Sequence, residues 1–210
     1  MTVVAVSKTV PAERVRNAVA AGISLFGENR VQEALAKMPE VPGARWHLVG
    51  PLQSNKARRA VEAFETIQTV ASVELARRLD RIAGELGRPP VPVLLQVNVD
   101  ADPQKSGFQP DDLEAVASDL AGLGGLDVRG LMTIGREVSR PEYARGTFAG
   151  LRELHGRLRG QWPRLGPELS MGMTDDYPIA VEEGATLVRV GRALFGERPH
   201  AHEHGHGHGH

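Results

Sequence analysis

Lys8 is the residue of this chain whose chemistry is most specific. It ends a short apolar run, residues 3–7 (VVAVS), which is typical of a buried parallel strand. The carboxyl ends of such strands are where α/β proteins place their reactive groups. A lysine that is desolvated there, close to other cations, becomes a nucleophilic amine suited to forming a Schiff base with a carbonyl. Taken alone, the residue is more simply interpreted as a solvated lysine that follows a strand, and the other residues of the chain favour the reactive amine.

The loops after the last two apolar runs carry groups that suit a phosphate. Ser170 and Thr174 bring two hydroxyl groups around a glycine. Gly191 and Arg192 begin a predicted helix, whose first N–H groups have no acceptor within the helix. In α/β barrels, a phosphate site commonly lies on the loops after strands seven and eight, beside such a helix start. The pattern therefore predicts a phosphate site.

Arg189 precedes this predicted phosphate site and still belongs to the last apolar run. Its side chain can therefore reach under a bound group and pair with a ring nitrogen. A Schiff-base lysine, a phosphate site and an arginine directed at a ring between them together describe pyridoxal 5′-phosphate. We interpret Asp175 and Asp176 as first-turn acids of the following helix, because carboxylates that faced a phosphate would repel it.

Eight short apolar runs alternate with segments of helical periodicity. One helical stripe runs from Leu75 to Leu86, with Ser72 placed to cap it. Since every step between strands is a βα crossover, the sequence predicts a single-domain (β/α)8 TIM barrel over residues 1–198, with an open doubly wound sheet as the alternative. Little length remains for inserted lids, so we expect a partly open site. The predicted strands are Val3–Ser7, Ser24–Gly27, His47–Gly50, Thr66–Val70, Val91–Val99, Val128–Thr133, Glu168–Met171 and Thr186–Val190.

Composition limits the partners and the location. The chain has 210 residues, a formal net charge of −1, 4% aromatic residues and no cysteine. Without a basic field or a stacking surface, binding to nucleic acid or to an anionic membrane is not expected. No apolar run approaches the length that spans a bilayer. The lack of cysteine and of a secretory signal pattern favours the cytoplasm.

Residues 199–210 form a tail rich in histidine and glycine. We expect it to be disordered, because it has no periodicity that could pack against a core. Its imidazoles could chelate a transition metal, but no cysteine or carboxylate array fixes a geometry, so no metal centre is predicted. The composition is consistent both with a natural tail and with a purification tag.

Seven motifs in fixed order run through the predicted barrel, from Val3 to Gly196. They are Ala5–Thr9, Phe26–Asn29, Trp46–Lys56, Lys105–Phe108, Gly130–Met132, Leu169–Asp176 and Val188–Gly191. These motifs resemble the YggS/PROSC family of pyridoxal phosphate homeostasis proteins. Family members usually have a helix before the lysine-bearing strand, and this sequence opens within that strand, a difference that bears on the barrel bottom and not on the site.

The resemblance implies a monomeric barrel like the N-terminal domain of alanine racemase, the fold type III of pyridoxal phosphate proteins. It implies a covalent Schiff base between the cofactor and Lys8, with Asn29 beside the cofactor and Arg189 at the pyridine nitrogen. The residues implied at the phosphate are Ser170, Thr174, Gly191 and the backbone of Arg192.

The implied role is to carry and buffer pyridoxal 5′-phosphate in support of vitamin B6 and amino-acid homeostasis, with apo-enzymes as candidate recipients. The alternative is an amino-acid racemase with the same cofactor. Racemisation needs an acid/base group on each face of the substrate. Lys8 serves one face, Tyr177 is the phenol nearest the predicted mouth, and the chain leaves no length for the second domain that racemases of this fold carry. A regulator that acts chiefly through protein contacts has no sequence feature in its favour.

Lys105 motivates one further hypothesis. It follows the fifth predicted strand and therefore lies at the same end of the barrel as Lys8. Its amine could take the aldehyde from Lys8 by transimination and pass it towards solvent. A solvated lysine before a turn is the alternative interpretation.

Overall fold

Eight parallel strands close into a barrel in the computed structural model, which describes residues 1–136 and 138–196. Each strand pairs with the next along the chain, and the eighth pairs with the first. The predicted (β/α)8 barrel is confirmed, and an open doubly wound sheet is excluded. The strands are β1 (Thr2–Val6), β2 (Leu25–Glu28), β3 (Arg45–Leu48), β4 (Thr66–Val70), β5 (Val91–Gln96), β6 (Leu126–Met132), β7 (Glu168–Ser170) and β8 (Leu187–Val190).

A helix follows each strand and covers the outside of the barrel. The last one is a single short turn. Within the described residues the helices are α1 (Ala12–Ala20), α2 (Val31–Lys37), α3 (Ala57–Ala63), α4 (Val73–Glu85), α5 (Pro110–Ala121), α6 (Arg145–Gln161), α7 (Tyr177–Glu182) and α8 (Arg192–Phe195).

The start and the end of α4 follow from local signals in the sequence. Ser72 Oγ accepts a hydrogen bond from the Leu75 amide at 3.2 Å, which satisfies one N–H that has no acceptor within the helix. The helix buries Leu75, Leu79 and Ile82, and each such side chain contributes about 1.5–3 kcal/mol. The chain then turns at Gly87, whose φ of 59° suits glycine.

The main hydrophobic core fills the layer between strands and helices. Phe26, Leu95, Leu131 and Leu151 lie in it and are fully buried. A second, smaller cluster of apolar side chains lies apart from the main core and comprises Val4, Leu25, Val49 and Leu187.

The register of the strands brings the predicted site residues to one end of the barrel. Val4 lies opposite Arg189 and Ala5 opposite Val190 in the pairing of β1 with β8. The turn that follows β1 therefore lies beside the loop that follows β8. As a result, the lysine-bearing turn and the predicted phosphate loop meet at the same end of the barrel.

The fifth strand was predicted to extend to Val99, but β5 ends at Gln96. The strand stops before the end of the apolar run because the side chain of Asn98 forms hydrogen bonds that fold the next loop. Its Nδ2 donates to the Asp102 carbonyl at 2.8 Å, and its Oδ1 accepts from the Asp102 amide at 3.1 Å. A side chain that satisfies loop backbone competes with further strand pairing.

The interpretation of Asp175 and Asp176 as first-turn acids is wrong, because α7 begins at Tyr177. Asp176 is buried, and its Oδ1 accepts from the Met173 amide at 2.6 Å, so it closes the loop before the helix. Asp175 is exposed and forms an ion pair with Arg192. Asp176 therefore acts within the loop before α7, whereas Asp175 links that loop to α8.

The predicted tail, residues 199–210, lies outside the described residues. Within the described part of the chain, no helix is long and apolar enough to cross a membrane. In the same residues, no group of three or more histidine, aspartate or glutamate side chains comes together in a way that could hold a metal ion.

Candidate functional site

A cavity of about 580 Å³ opens at the carboxyl ends of β1, β2 and β8. Its walls are apolar in part, through side chains such as Val6, Val49 and Ile134. Six of the seven predicted site residues line it, namely Lys8, Asn29, Thr174, Arg189, Gly191 and Arg192. The predicted constellation is therefore largely brought together in one space.

A second cavity, of about 210 Å³, lies at the opposite end of the barrel, where β5 and β6 begin. Leu126, Trp162 and Arg164 are among its lining residues, and none of the predicted site residues borders it. Because reactive groups of such barrels lie at the carboxyl ends of the strands, we assign the site to the larger cavity.

Lys8 lies in a tight turn at the edge of this cavity. The Val10 amide donates to the Ser7 carbonyl at 2.9 Å, which closes the turn around Lys8 and Thr9. Thr9 has a φ of 64°, in the left-handed region that β-branched residues rarely adopt. The half-buried Lys8 side chain borders the cavity. The turn thus holds the amine where a bound carbonyl could reach it.

Arg189 places a cation at the buried end of the cavity. Its side chain is almost fully buried, with Nη1 donating to Ser170 Oγ and Nη2 to the Thr133 carbonyl, both at 2.7 Å. Burial lowers the pKa of Arg189 to about 10, and the carboxylate of Asp176 partly opposes that change. The guanidinium is therefore charged at neutral pH and held in one orientation.

Ser170 belongs to a polar chain inside the barrel and does not line the cavity. Its hydroxyl donates to Gln68 Oε1 at 2.6 Å, and Gln68 Nε2 lies 2.8 Å from His47 Nδ1. Burial, followed by the positive charges of Arg45 and Arg129, lowers the pKa of His47 to about 4. A neutral His47 can accept from the Gln68 amide, which orients the amide oxygen towards Ser170.

His47 and Gln68 were not predicted as site residues from the sequence. The available signal was weak: His47 and Gln68 are polar residues inside β3 and β4, two strands that carry other polar residues as well. In a barrel, such residues must find partners among other inward-facing side chains. Contact between Ser170 and a phosphate stays a prediction. The observed hydrogen bonds of Ser170 join it to Gln68 and to Arg189, which it helps to orient.

The loop after β8 forms an open edge of the cavity. Gly191 precedes α8, and a Cβ at this position would lie 3.2 Å from the Val6 carbonyl oxygen. A side chain at this position would therefore press against the end of β1. The first amides of α8 have no acceptor within the helix, and Thr174 borders the same space. This edge can hold a compact anion.

Asn29 reaches the cavity because the chain passes very close to the next loop. A Cβ on Gly50 would lie 2.3 Å from the Asn29 carbonyl oxygen, so only glycine permits the observed approach. Asn29 follows directly after β2 and borders the cavity. The close approach of the two loops therefore fixes the backbone of Asn29 at the edge of the cavity.

Two residues weighed from the sequence lie outside the cavity lining. Lys105 Nζ donates to the carbonyls of Gly135 at 2.5 Å and Ile134 at 3.3 Å. It therefore fastens the loop after β6, and the hypothesis of an aldehyde relay stays a prediction. Tyr177 is 39% exposed and does not border the cavity either.

Comparison with known proteins identifies the structural class of the barrel. Residues 1–199 match the family described as alanine racemase, N-terminal domain. The alanine racemase of Clostridium difficile 630 shares the fold, with a TM-score of 0.77 at 16% identity, over 95% of this chain and 53% of the racemase. The barrel and the site at its carboxyl end thus define a barrel of the alanine racemase N-terminal type.

Several relatives are much more similar in sequence. The pyridoxal phosphate homeostasis protein of Pseudomonas aeruginosa is 46% identical over 199 residues, which cover 93% of this chain and 84% of the relative. That of Escherichia coli K12 is 40% identical over 210 residues, with 96% and 87% covered. The structure of PipY from Synechococcus elongatus PCC7942 with PLP bound has a TM-score of 0.87 at 49% identity, covering 93% of this chain and 92% of PipY. The chain belongs to the family of pyridoxal phosphate homeostasis proteins.

Proposed function

We propose that this protein holds pyridoxal 5′-phosphate through a Schiff base on Lys8 and acts as a carrier that buffers the cofactor, without turnover of its own. The observation that carries the proposal is that Lys8 and the buried cation Arg189 border one cavity with an open glycine edge at Gly191. Support also comes from the relatives, which are named as homeostasis proteins, and from PipY, whose structure contains PLP.

The residues present fit this cofactor. A cavity of about 580 Å³ falls within the range of roughly 300–1,000 Å³ that is usual for cofactor sites. Arg189 would face the ring nitrogen, Asn29 would lie beside the ring, and Lys8 would supply the amine. Thr174, Gly191 and the Arg192 backbone would hold the phosphate. Bound pyridoxal phosphate supplies an aldehyde carbon that condenses with amines and a ring that withdraws electrons.

Lys8 is suited to the condensation by its place in the turn. Its neutral amine adds to an aldehyde carbon, and the carbonyl oxygen leaves as water with the two amine hydrogens. Apolar neighbours such as Val6 and Val49 limit the access of water to this part of the cavity. The bond is reversible by hydrolysis or by a second amine, which is what a carrier requires.

Arg189 distinguishes a carrier from an enzyme only in part, because its charge limits carbanion chemistry without forbidding racemisation. A permanently charged donor at the ring nitrogen keeps that nitrogen unprotonated and weakens the ring as an electron sink. Racemisation needs a second acid/base group opposite Lys8. Tyr177, the phenol considered for that role, does not border the cavity. The site therefore supports holding the cofactor better than carbanion chemistry.

A monomeric state, a cytoplasmic location and delivery to apo-enzymes complete the proposal. The near-neutral formal charge of −1 gives no long-range field for nucleic acid or an anionic surface. Recipients are defined by chemistry, as apo-enzymes whose own lysine accepts the aldehyde from Lys8.

The test is to map the covalent adduct. The purified protein is incubated with pyridoxal 5′-phosphate and reduced with borohydride, and its peptides are analysed by mass spectrometry. We expect a pyridoxyl adduct on the Lys8 peptide, lost in Lys8→Ala and retained in the matched control Lys105→Ala. Because Lys8 lies in a turn at the edge of the cavity and not in the hydrophobic core, Lys8→Ala should leave the fold intact. An adduct on Lys56 or Lys105 of the wild type would refute the assignment.

A further inference from the structure

An ion pair lies buried next to the turn that carries Lys8. Glu28 ends β2 and has no exposed surface, and Lys37 ends α2. Lys37 Nζ lies 2.5 Å from Glu28 Oε1 and donates a second hydrogen bond to the Ser7 carbonyl at 2.8 Å. The Ser7 hydroxyl donates to the same carboxylate oxygen at 2.8 Å. The ammonium and the carboxylate together hold the residue that precedes Lys8.

Stability of the fold is a weak reason for this pair. Two charges that are withdrawn from water lose more hydration than their attraction usually returns, and apolar pairs of similar volume are often more stable. Within the described residues, Glu28 Oε2 is buried without a hydrogen-bond partner, which adds to the cost. Glu28 and Lys37 do not line the cavity, so contact with a ligand does not explain them either.

The turn itself needs to be held. Thr9, with a φ of 64°, is a β-branched residue in the left-handed region, a conformation that persists only where the surroundings enforce it. The Ser7 carbonyl accepts from the Val10 amide at 2.9 Å and from Lys37 Nζ at 2.8 Å. The carbonyl that closes the strained turn is therefore the one that the ion pair fixes.

We propose that Glu28 and Lys37 are positioning residues, whose ion pair fixes the Ser7 carbonyl, holds the strained turn and directs Lys8 into the cavity. The inference rests on the proposed function, in which Lys8 is the amine that receives the cofactor. Both residues act through the turn and make no contact with the cavity. The function of the buried ion pair is thus to position the amine of Lys8.

The test compares the wild type with Glu28→Gln/Lys37→Met, which removes both charges at nearly constant volume, in protein without cofactor. Hydrogen exchange of the Val10 amide should become roughly tenfold faster, equivalent to about 1.4 kcal/mol of lost protection. Competitive acetylation of Lys8, with Lys56 as the internal reference, should change in rate and in its dependence on pH. Unchanged exchange and unchanged acetylation in the folded double variant would overturn the proposal.

The matched control is a solvated ion pair. Arg58 and Glu85 lie 2.8 Å apart with about half of each side chain exposed. Arg58→Met/Glu85→Gln should leave both Val10 exchange and Lys8 acetylation at wild-type values, because exposed pairs contribute little. An equal effect of this control would show that loss of any ion pair loosens the turn, and would contradict the proposal.

A substitution at Thr9 separates positioning from general loosening. Asparagine adopts the left-handed region more readily than threonine does. Adding Thr9→Asn to the double variant should therefore restore protection of the Val10 amide, and absence of rescue would contradict the proposal. If the double variant does not fold, Thr9→Asn alone decides: relief of strain should raise the midpoint of unfolding, and no rise would overturn the inference.

Cofactor binding distinguishes this inference from the proposed function. The exchange and acetylation measurements need no cofactor, so they test whether the Glu28–Lys37 ion pair holds the turn even if the wild type takes up no pyridoxal 5′-phosphate. That failure would refute the proposed function alone. With a wild type that does bind, the double variant should form the Lys8 adduct roughly tenfold more slowly, and an equal rate would overturn the role in positioning.

Discussion

Arg189 donates a hydrogen bond of 2.7 Å to Ser170 across the pairing of β7 with β8. The serine hydroxyl has one hydrogen to give, and it donates that hydrogen to Gln68 at 2.6 Å. The guanidinium, the hydroxyl and the amide therefore form one directed chain, which ends at the neutral ring of His47. The orientation of the cation at the cavity depends on three residues that do not belong to the cavity wall.

Ser170→Ala should weaken binding of pyridoxal 5′-phosphate roughly tenfold, because a buried Arg189 donor loses an acceptor worth about 1–1.5 kcal/mol. Titration of the protein with the cofactor measures the dissociation constant. Pyridoxal without phosphate is the control ligand. If Ser170 acts through Arg189, both ligands should weaken equally, whereas a loss confined to the phosphorylated ligand would establish contact with the phosphate.

Gly191→Ala should weaken binding of pyridoxal 5′-phosphate about tenfold and that of pyridoxal much less. The added Cβ would lie 3.2 Å from the Val6 carbonyl oxygen, at the edge assigned to the phosphate. The matched control is Gly156→Ala, because Gly156 is a solvent-facing position of α6 with no atom within 4 Å of an added Cβ. That control should raise the free energy of unfolding by about 0.5–1 kcal/mol without affecting binding. Equal affinity of Gly191→Ala and of the wild type for the cofactor would show that the phosphate does not bind at this edge.

Stability should fall as the pH falls from 6.5 towards 4, and His47 should account for much of the loss. Burial lowers the pKa of His47 from 6.5 to about 4, so in this range the unfolded chain takes up a proton that the folded protein refuses. The free energy of unfolding should drop by up to about 3 kcal/mol over the window. The stability from this residue is fully present above pH 6.5.

Denaturant unfolding of the wild type and of His47→Gln at pH 7.5 and pH 5 measures this effect. His47→Gln should show a smaller loss between the two pH values, since glutamine does not titrate and can still accept from Gln68. His155, whose pKa burial also lowers, gives a residual slope of the same sign in both proteins. Identical pH dependence in the two proteins would show that His47 does not carry the effect.

The protein with bound cofactor should show no meaningful racemase turnover. With L-alanine in deuterated water, we expect neither rapid exchange of the Cα hydrogen nor accumulation of D-alanine, because Lys8 can serve only one face of the substrate. Chiral chromatography and mass spectrometry measure the two products. Rapid exchange that is lost in Tyr177→Phe would make the protein an enzyme and assign the second acid/base group.

The sequence by itself determined the elements and their order, because the signals for them are local. The predicted strand Thr66–Val70 agrees with the observed β4, and Ser72 caps α4 as predicted. Lys8 was predicted at the end of the first strand from its apolar run alone. Local signals failed where a side chain reorganised the backbone, as Asn98 does after β5.

Only the tertiary structure decided which polar residues of the strands meet. Gln68 reaches both His47 and Ser170, and Ser170 lies 102 positions further along the chain. Strands of a barrel are buried on both sides, so their sequences lack the alternation that would show which residues face inward. The contact between Lys37 and Ser7, which spans 30 positions, likewise exists only once α2 has packed against the end of β1. Closure of the barrel and packing of its helices bring these residues together, and the periodicity of a single strand or helix does not encode such contacts.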